Sequence, residues 1–450
     1  MIWMIVIFLV GYLVITLEHS LHINKAATAL LAGVLCWTVY VTQVPDSELV
    51  AEQLTHHISE IAGILFFLLG AMTIVEIIDA HDGFELIVSR IKTDSSRKLL
   101  WIMSILAFCL SGILDNLTTT IVLVSLLRKL VADKHERWLY ACVIVIAANA
   151  GGAFTPIGDV TTTMLWIGGQ VTPTNIIAKL FLPSLVCMLF PLLYLSRTSG
   201  KKIQQTPPQE DSSALASTAF ERKFVLGLGV LTLVFVPVFK LLTHLPPYMG
   251  ILLGLGFLWT VIEIIHHRKD EEKKSQFSVL NALRKVDTST VLFFLGILLC
   301  IGALQSAGQL TLMANYLDEN VGNFYAINLL VGVFSSIVDN VPLVAAMMRM
   351  YAMQYPVDHT FWEFLAYCAG TGGSILIIGS AAGVAAMGIE KINFVWYLRK
   401  VSSLALMGYI AGAVTFLIQQ EILTNGVNTA SLTNLTTKLS YGFQYISSIF

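Results

Sequence analysis

Apolar segments long enough to cross a lipid bilayer follow one another along most of this chain. Hydrophobic residues make up 56% of its 450 residues and charged residues only 12%, whereas a soluble domain normally carries about a quarter charged residues. A helix rising 1.5 Å per residue needs about 20 apolar residues to cross a hydrocarbon core of roughly 30 Å. The chain is therefore predicted to be an all-α polytopic membrane protein. Helices are predicted at 1–17, 26–44, 59–79, 99–131, 138–168, 176–195, 222–242, 247–265, 288–307, 322–353, 361–390 and 395–419.

Two polar motifs occur inside these apolar runs, and each occurs twice in the same order. SGILDNLTTT at 111–120 matches SSIVDNVPLV at 335–344, and NAGGAFTPIGD at 149–159 matches GTGGSILIIGS at 370–380. An ionisable residue within a membrane segment is costly, and by default it indicates a functional site. The repetition predicts a transporter built from an internal repeat.

Four of the runs are longer than one membrane crossing requires. Runs 99–131 and 322–353 carry Asp-Asn at their centres, and runs 138–168 and 361–390 contain glycine clusters, the first of them with a proline as well. Glycine and proline interrupt helices. We therefore expect each repeat to contain a re-entrant helical hairpin and a broken transmembrane helix.

Basic residues are enriched in cytoplasmic loops, and this indicates the orientation of the two predicted hairpins. Run 99–131 has basic residues on both flanks and should enter and leave the membrane at the cytoplasmic side, whereas both ends of run 322–353 fit the outside. With an outer amino terminus, about ten spans and two hairpins place the basic clusters inside, and the two repeats are inverted. The basic flanks of run 99–131 are Arg90, Lys92, Arg97 and Lys98 before it, and Arg128, Lys129, Lys134 and Arg137 after it.

This pattern predicts five regions in the chain. They are peripheral transmembrane helices at 1–58, a first inverted repeat at 59–195, a linker with connecting helices at 196–287, a second inverted repeat at 288–419 and a tail at 420–450. The linker contains a polar Pro/Ser-rich stretch at 201–218 and a charge run at 266–274.

Oxygen-bearing side chains are concentrated at the four predicted breaks. A desolvated Na⁺ takes oxygen ligands rather than thiols or imidazoles, and broken helices add backbone carbonyls. The candidate cation- and proton-binding residues are Asp115, Asn116, Asn149, Asp159, Thr161, Thr162, Ser335, Asp339, Asn340 and Ser374.

Asp115 and Asp159 are the strongest candidates for transient Na⁺ binding. Na⁺ and a proton each neutralise a carboxylate, so the two ions would compete for one site, which is a simple basis for exchange. The alternative is that Asp115, Asp159 or Asp339 only caps a half-helix by accepting backbone N–H groups. Asn149 and Asn340 likewise could only satisfy backbone groups at the breaks.

These motifs together resemble those of the NhaD-type sodium/proton antiporters of the ion transporter superfamily. The match is carried by LDNLTTTIV at 114–122, NAGGAFTPIGDVTTTMLW at 149–166, SSIVDNVPLV at 335–344 and GTGGSILIIGSAAG at 370–383. The resemblance implies two inverted repeats, often in a homodimer, and expulsion of Na⁺ or Li⁺ driven by proton entry. By motif position it implicates Asp115, Asn116, Asn149, Asp159, Thr161, Thr162, Ser335, Asn340 and Ser374.

The main alternative is a Na⁺-coupled symporter of dicarboxylates or other oxyanions on the same architecture. Asp115, Asp339 and Asp159 place negative charge where such an anion would bind, which favours the antiporter. No Walker-type nucleotide motif occurs, so primary pumping is not expected. We expect no enzymatic activity, no cofactor and no nucleic-acid partner. Without a cleavable signal or an Arg/Ser-rich transit peptide, a multi-pass protein of a bacterial inner membrane is predicted.

Overall fold

The structure of the chain is a computed structural model. It describes residues 2–16, 18–21, 23–84, 86, 93, 95–198, 217–267, 277–337, 339–352 and 354–425. Most of the polar linker at 201–218, of the charge run at 266–274 and of the tail at 420–450 lies outside these residues.

The regular elements within the described residues are α-helices. In chain order they are α1 Ile2–Thr16, α2 Glu18–Leu21, α3 Lys25–Gln43, α4 Ser47–Ala80, α5 Ser96–Ser111, α6 Asn116–Leu130, α7 Lys134–Ala153, α8 Val160–Ile167, α9 Pro173–Thr198, α10 Ala219–Thr243, α11 Pro247–His266, α12 Val279–Lys285, α13 Thr288–Ser306, α14 Gln309–Asn320, α15 Phe324–Phe334, α16 Asn340–Met350, α17 Thr360–Gly372, α18 Ala381–Glu390, α19 Phe394–Lys400 and α20 Ser402–Asn425.

Several of these helices can cross a membrane. Among the described residues, seven are long and apolar enough to do so, namely α3, α4, α9, α10, α11, α13 and α20. Large apolar side chains such as Leu242 and Leu253 are exposed on their surfaces, as expected of helices that face lipid. The prediction of an all-α polytopic membrane protein is thereby confirmed.

The chain divides into two compact units. Unit 1 comprises Met1–Arg90 and Asp211–Ala314, and unit 2 comprises Ile91–Glu210 and Asn315–Phe450. Unit 1 therefore holds α4 and α13, which the sequence assigns to the starts of the two repeats. The repeat boundaries and their inverted orientation stay predictions.

Within unit 1, small residues bring α3 and α13 close together. A Cβ added to Gly33 would collide with the carbonyl of Gly296, and one added to Gly296 would collide with the backbone of Ala29 and Leu30. Small residues of this kind let membrane helices pack with their backbones near contact.

Unit 2 contains all four of the long apolar runs with polar motifs, and each run is divided into two helices. The chain leaves helical geometry between α5 and α6, between α7 and α8, between α15 and α16, and between α17 and α18. The polar motifs lie at these four breaks.

The two halves of unit 2 repeat the same helix contact. Ser111 at the end of α5 donates to the carbonyl of Ala148 in α7 over 2.6 Å, and Ser335 after α15 donates to the carbonyl of Ala369 in α17 over 2.7 Å. One turn further on, a Cβ on Gly151 or on Gly372 would collide with backbone of the facing helix. The two halves of unit 2 thus share this contact, while the internal repeat itself stays a prediction.

Candidate functional site

Asp159 is the carboxylate at the centre of the polar residues in unit 2. It is the N-cap of α8, and its Oδ1 accepts the backbone N–H of Thr161 at 2.9 Å and the Thr161 hydroxyl at 2.8 Å. Aspartate is among the preferred N-cap residues because its oxygen replaces a missing helical acceptor. The residue is only 1% exposed, so this carboxylate is enclosed by protein.

The second oxygen of Asp159 receives amide groups from two other helix breaks. Asn116, the first residue of α6, donates from Nδ2 to Asp159 Oδ2 over 2.9 Å. Asn340, the first residue of α16, donates to the same oxygen over 3.4 Å. The Asp-Asn motif of each half of unit 2 therefore presents its asparagine to one shared carboxylate.

Asn149 connects this carboxylate to the fourth break. Its Oδ1 accepts the same Asn116 amide at 3.0 Å, and its Nδ2 donates to Ser374 Oγ at 2.8 Å and Ser380 Oγ at 2.9 Å. Asn149 lies in the last turn of α7 and is fully buried. The four breaks thus meet in one hydrogen-bonded cluster, which we call the amide–carboxylate cluster: Asn116, Asn149, Asp159, Thr161, Asn340, Ser374 and Ser380.

The charge of Asp159 has only neutral partners. No ion pair joins it to a basic side chain within the described part of the chain. Asp115 and Asp339 lie close enough for their charges to repel that of Asp159. An ionised carboxylate that is buried without a counter-charge costs roughly several kcal/mol. Binding of a small cation or a proton at this site would remove that cost.

Three of the residues predicted to bind ions form hydrogen bonds with groups outside the cluster. Asp115 caps α6 and accepts the backbone N–H and the hydroxyl of Thr118, both at 2.7 Å. Asp339 caps α16 and accepts the N–H of Val341 at 3.2 Å. Ser335 bonds the carbonyl of Ala369.

Thr162 also bonds backbone, since its hydroxyl donates to the Ala153 carbonyl over 3.3 Å. The capping geometry anticipated as an alternative is thus present at Asp115, Asp159 and Asp339. A role for these residues in ion binding stays a prediction.

Ser380 is a cluster member that the sequence-based selection of site residues left out. It caps α18 by accepting the N–H of Gly383 at 3.1 Å while it accepts the Asn149 amide. Its position in the second motif corresponds to that of Asp159 in the first, so the alignment of the two motifs was the signal that could have identified it.

Two further hydroxyls near the cluster have no hydrogen-bond partner among the described residues. They belong to Thr119 and Thr120 in the first turns of α6, and both residues are fully buried. Buried polar groups are normally satisfied, so these oxygens are available to an ion or to water.

A family model described as CitMHS, citrate transporter, matches residues 5–372. Sodium/proton antiporter 1 of Arabidopsis thaliana is 52% identical over 415 residues, which cover 92% of this chain and 72% of that protein. The Na⁺/H⁺ antiporter NhaD of Alkalimonas amylolytica is 34% identical over 92% of this chain and 89% of its own length. The NhaD of Vibrio cholerae is likewise 34% identical, over 92% of this chain and 91% of its own length.

Proposed function

Because the chain belongs to the CitMHS family and to its NhaD-type sodium/proton antiporters, we propose that it exports Na⁺ in exchange for protons by alternating access. The transported ions are Na⁺, with Li⁺ as a close substitute, and H⁺. The exchange serves sodium and pH homeostasis.

The observation that carries the proposal is the buried carboxylate of Asp159 among neutral amides and hydroxyls. It is 1% exposed and has no basic partner among the described residues, so its ionised form would carry one uncompensated negative charge. Either a proton or Na⁺ removes that charge, and both cannot occupy it at once. Such a site loads one ion only by releasing the other.

Asparagine is a suitable partner for such a carboxylate, because its amide offers both hydrogen-bond donors and an acceptor. Asn116 and Asn340 donate N–H to Asp159. Rotation of the amide would present its carbonyl oxygen to a bound Na⁺ instead. The same side chains can therefore offer a donor to the ionised carboxylate or an oxygen to bound Na⁺.

The transport cycle then has two half-reactions at one site. Toward the cytoplasm, Asp159 releases its proton and accepts Na⁺, with Asp115 adding negative charge nearby. After the change of access, Na⁺ leaves to the outside and a proton returns to Asp159. Thr161, Ser374 and Asn149 hold the carboxylate and the amides in position through the bonds described above.

The CitMHS description raises a second candidate, a symporter of citrate or another oxyanion. In unit 2, however, the N-termini of α6, α8, α16 and α18 are capped by Asp115, Asp159, Asp339 and Ser380. These side chains use N–H groups that an anion would need, and three of them are carboxylates. The site therefore favours cations over polycarboxylates.

We place the protein in the inner membrane of a bacterium as a homodimer. The NhaD relatives are bacterial, whereas the sodium/proton antiporters 1 and 2 of Arabidopsis thaliana are plant proteins. Cross-linking in native membranes tests the dimer, and fractionation of the source cells tests the membrane.

Everted vesicles from cells lacking their own antiporters provide the test. Addition of Na⁺ should dissipate a preformed ΔpH with the wild-type protein and should fail to do so with Asp159→Asn. Asp358→Asn is a matched control, because Asp358 only holds Thr172 at another helix end through bonds of 2.6 and 2.8 Å. Wild-type exchange by correctly inserted Asp159→Asn protein would refute the proposal. Uptake of labelled citrate coupled to Na⁺, without ΔpH recovery, would establish the symporter instead.

A further inference from the structure

A cavity of about 740 Å³ lies within unit 2, away from the amide–carboxylate cluster. It is bounded by the start of α7, the end of α9 and the junction between α19 and α20. The exchange proposed above makes no use of it.

The walls of this cavity carry charges of both signs. Arg399 and Lys400, in the last turn of α19, provide two exposed cations. Asp133 and Glu136, at the start of α7, provide two carboxylates. One oxygen of Glu136 is buried and has no hydrogen-bond partner among the described residues. A ligand with both an anionic and a cationic group complements this arrangement better than a simple anion.

An aromatic pair packs at the edge of the cavity. Trp396, which lines it, makes an edge contact with Trp138 at a centroid distance of 5.2 Å. Trp138 in turn donates its indole N–H to the carbonyl of Glu390 over 2.9 Å. The Glu390 carboxylate is bound by Arg128 at 2.8 Å and by Arg137 at 3.0 Å. These contacts tie the start of α7 to the end of α18, next to the cavity.

The surroundings of the cavity mark it as a membrane-facing site. Tyr194 of α9 lines the cavity and is 53% exposed, and the helices α9 and α19 that bound it also carry the exposed apolar side chains of Leu193, Val395 and Leu398. Tyrosine and tryptophan are enriched at the level of lipid headgroups, and basic clusters lie on the cytoplasmic side. A ligand seated here would therefore have its polar part in the cavity and apolar chains along α9 and α19.

We propose that this cavity binds the headgroup of an amine-bearing phospholipid of the phosphatidylethanolamine class in the cytoplasmic leaflet. The phosphate is bound by Arg399 and Lys400, and the primary ammonium by Glu136 and Asp133. Basic pockets between membrane helices on the cytoplasmic side bind the phosphates of anionic lipid headgroups, and Arg399 and Lys400 offer the same contact to a phosphate here. The two carboxylates distinguish this site from one for anionic lipids, because they repel a headgroup that lacks the amine. The inference is independent of the ion that the protein transports.

Native mass spectrometry of the purified full-length protein tests the proposal with three lipids: phosphatidylethanolamine, phosphatidylcholine and phosphatidylglycerol. We expect phosphatidylethanolamine to be retained most strongly, since choline cannot donate hydrogen bonds and glycerol carries no charge. Loss of one basic contact should weaken retention about fivefold, so Arg399→Gln and Lys400→Gln should each lower binding of all three lipids by roughly that factor.

Glu136→Gln gives the decisive result. Removal of this carboxylate should lower retention of phosphatidylethanolamine and raise that of phosphatidylglycerol. A general loss of binding would instead lower retention of both lipids. Lys98→Gln is the control, because Lys98 is an exposed basic residue in the first turn of α5 and is not among the residues that line the cavity. Equal retention of the three lipids by wild type, or an unchanged ratio in Glu136→Gln, would overturn the proposal. Displacement of the lipid by soluble phosphoethanolamine at matched concentration would also overturn it, by identifying a water-soluble ligand.

Discussion

Asn116 Nδ2 lies 2.9 Å from Asp159 Oδ2, and this bond is one of those that join the break between α5 and α6 to the break between α7 and α8. Asn116 is the first residue of its helix and Asp159 is the N-cap of another. Both side chains are thus positioned by where a helix begins. The positions of these two side chains are therefore set mainly by where the helices break, because each side chain has only two torsion angles.

Replacement of Asn116 by alanine should weaken Na⁺ binding. Without the amide, the ionised carboxylate of Asp159 loses a hydrogen-bond donor, so a proton competes better with Na⁺ for it. The Na⁺-bound site also loses one oxygen ligand. Hydrogen bonds to charged groups contribute about 1.5–3 kcal/mol, so the Na⁺ concentration for half-maximal ΔpH recovery should rise by about tenfold or more. Titration of everted vesicles with Na⁺ at fixed pH measures this shift.

Asn328→Ala provides the control for that measurement. Asn328 is a buried amide of α15 that donates to the carbonyl of Phe361 over 3.0 Å, so its loss should affect stability rather than Na⁺ affinity. An equal rise in half-saturation for both variants would show that Asn116 acts only through the fold.

The close helix contacts of unit 2 give a prediction about stability. A Cβ on Gly151 would collide with the backbone of Phe108, and overpacking typically costs about 1–3 kcal/mol. Gly151→Ala should therefore lower the thermal unfolding midpoint in detergent. Gly388→Ala is the matched comparison, since Gly388 is in helix α18 and a Cβ there meets nothing within 4 Å.

Alanine at position 388 should leave the midpoint unchanged or raise it, because alanine is favoured over glycine in a helix by about 0.5–1 kcal/mol. If both variants lower the midpoint equally, the contact between α5 and α7 is not the cause.

The sequence predicted the four breaks because their determinants are local. Asp-Asn pairs, glycine clusters and a proline within apolar runs are visible without knowledge of the fold, and they selected Asn116, Asn149, Asp159, Asn340 and Ser374, which the structure brings together.

The partners across the site could not be predicted in the same way. Asp115 and Asp159 are both N-caps in the sequence pattern, but Thr118 takes both oxygens of Asp115, whereas one oxygen of Asp159 remains for other helices. That difference depends on which side chains the fold brings to each cap, and the sequence pattern does not show this. The assignment of α4 and α13 to unit 1 also depends on packing between distant segments.

His359 gives a prediction about pH. It is the N-cap of α17, outside the spanning segment, and its Nδ1 accepts the N–H of Phe361 over 3.1 Å. Burial lowers the pKa of His359 from its ordinary value of 6.5. Below that value the unfolded chain binds more protons at this position than the folded chain, so the contribution of His359 makes stability fall as the pH drops through about 6.5.

His359→Asn retains a capping acceptor without a titratable group. The variant should therefore show a smaller decline in its thermal unfolding midpoint between about pH 7 and pH 5 than the wild type. Unfolding curves in detergent across this range measure the difference. A decline as steep as that of the wild type would assign the pH dependence to other groups.

Ser380 occupies the position in the second half of unit 2 that Asp159 occupies in the first, and the two differ in charge. Both cap a half-helix and both belong to the amide–carboxylate cluster. Ser380→Asp should keep the cap, since aspartate is as good an N-cap as serine, and should add a second buried negative charge beside Asn149. Because an uncompensated buried charge costs roughly several kcal/mol, the variant should take up one additional monovalent cation per chain.

Equilibrium binding of ²²Na⁺ to purified protein at alkaline pH tests this expectation. Ser380→Asn is the control, because asparagine matches aspartate in shape and capping ability but carries no charge. Ser380→Asp should bind more Na⁺ per chain at saturation than either the wild type or Ser380→Asn. Identical stoichiometry in the two variants would show that the negative charge at position 380 does not determine how many cations this site holds.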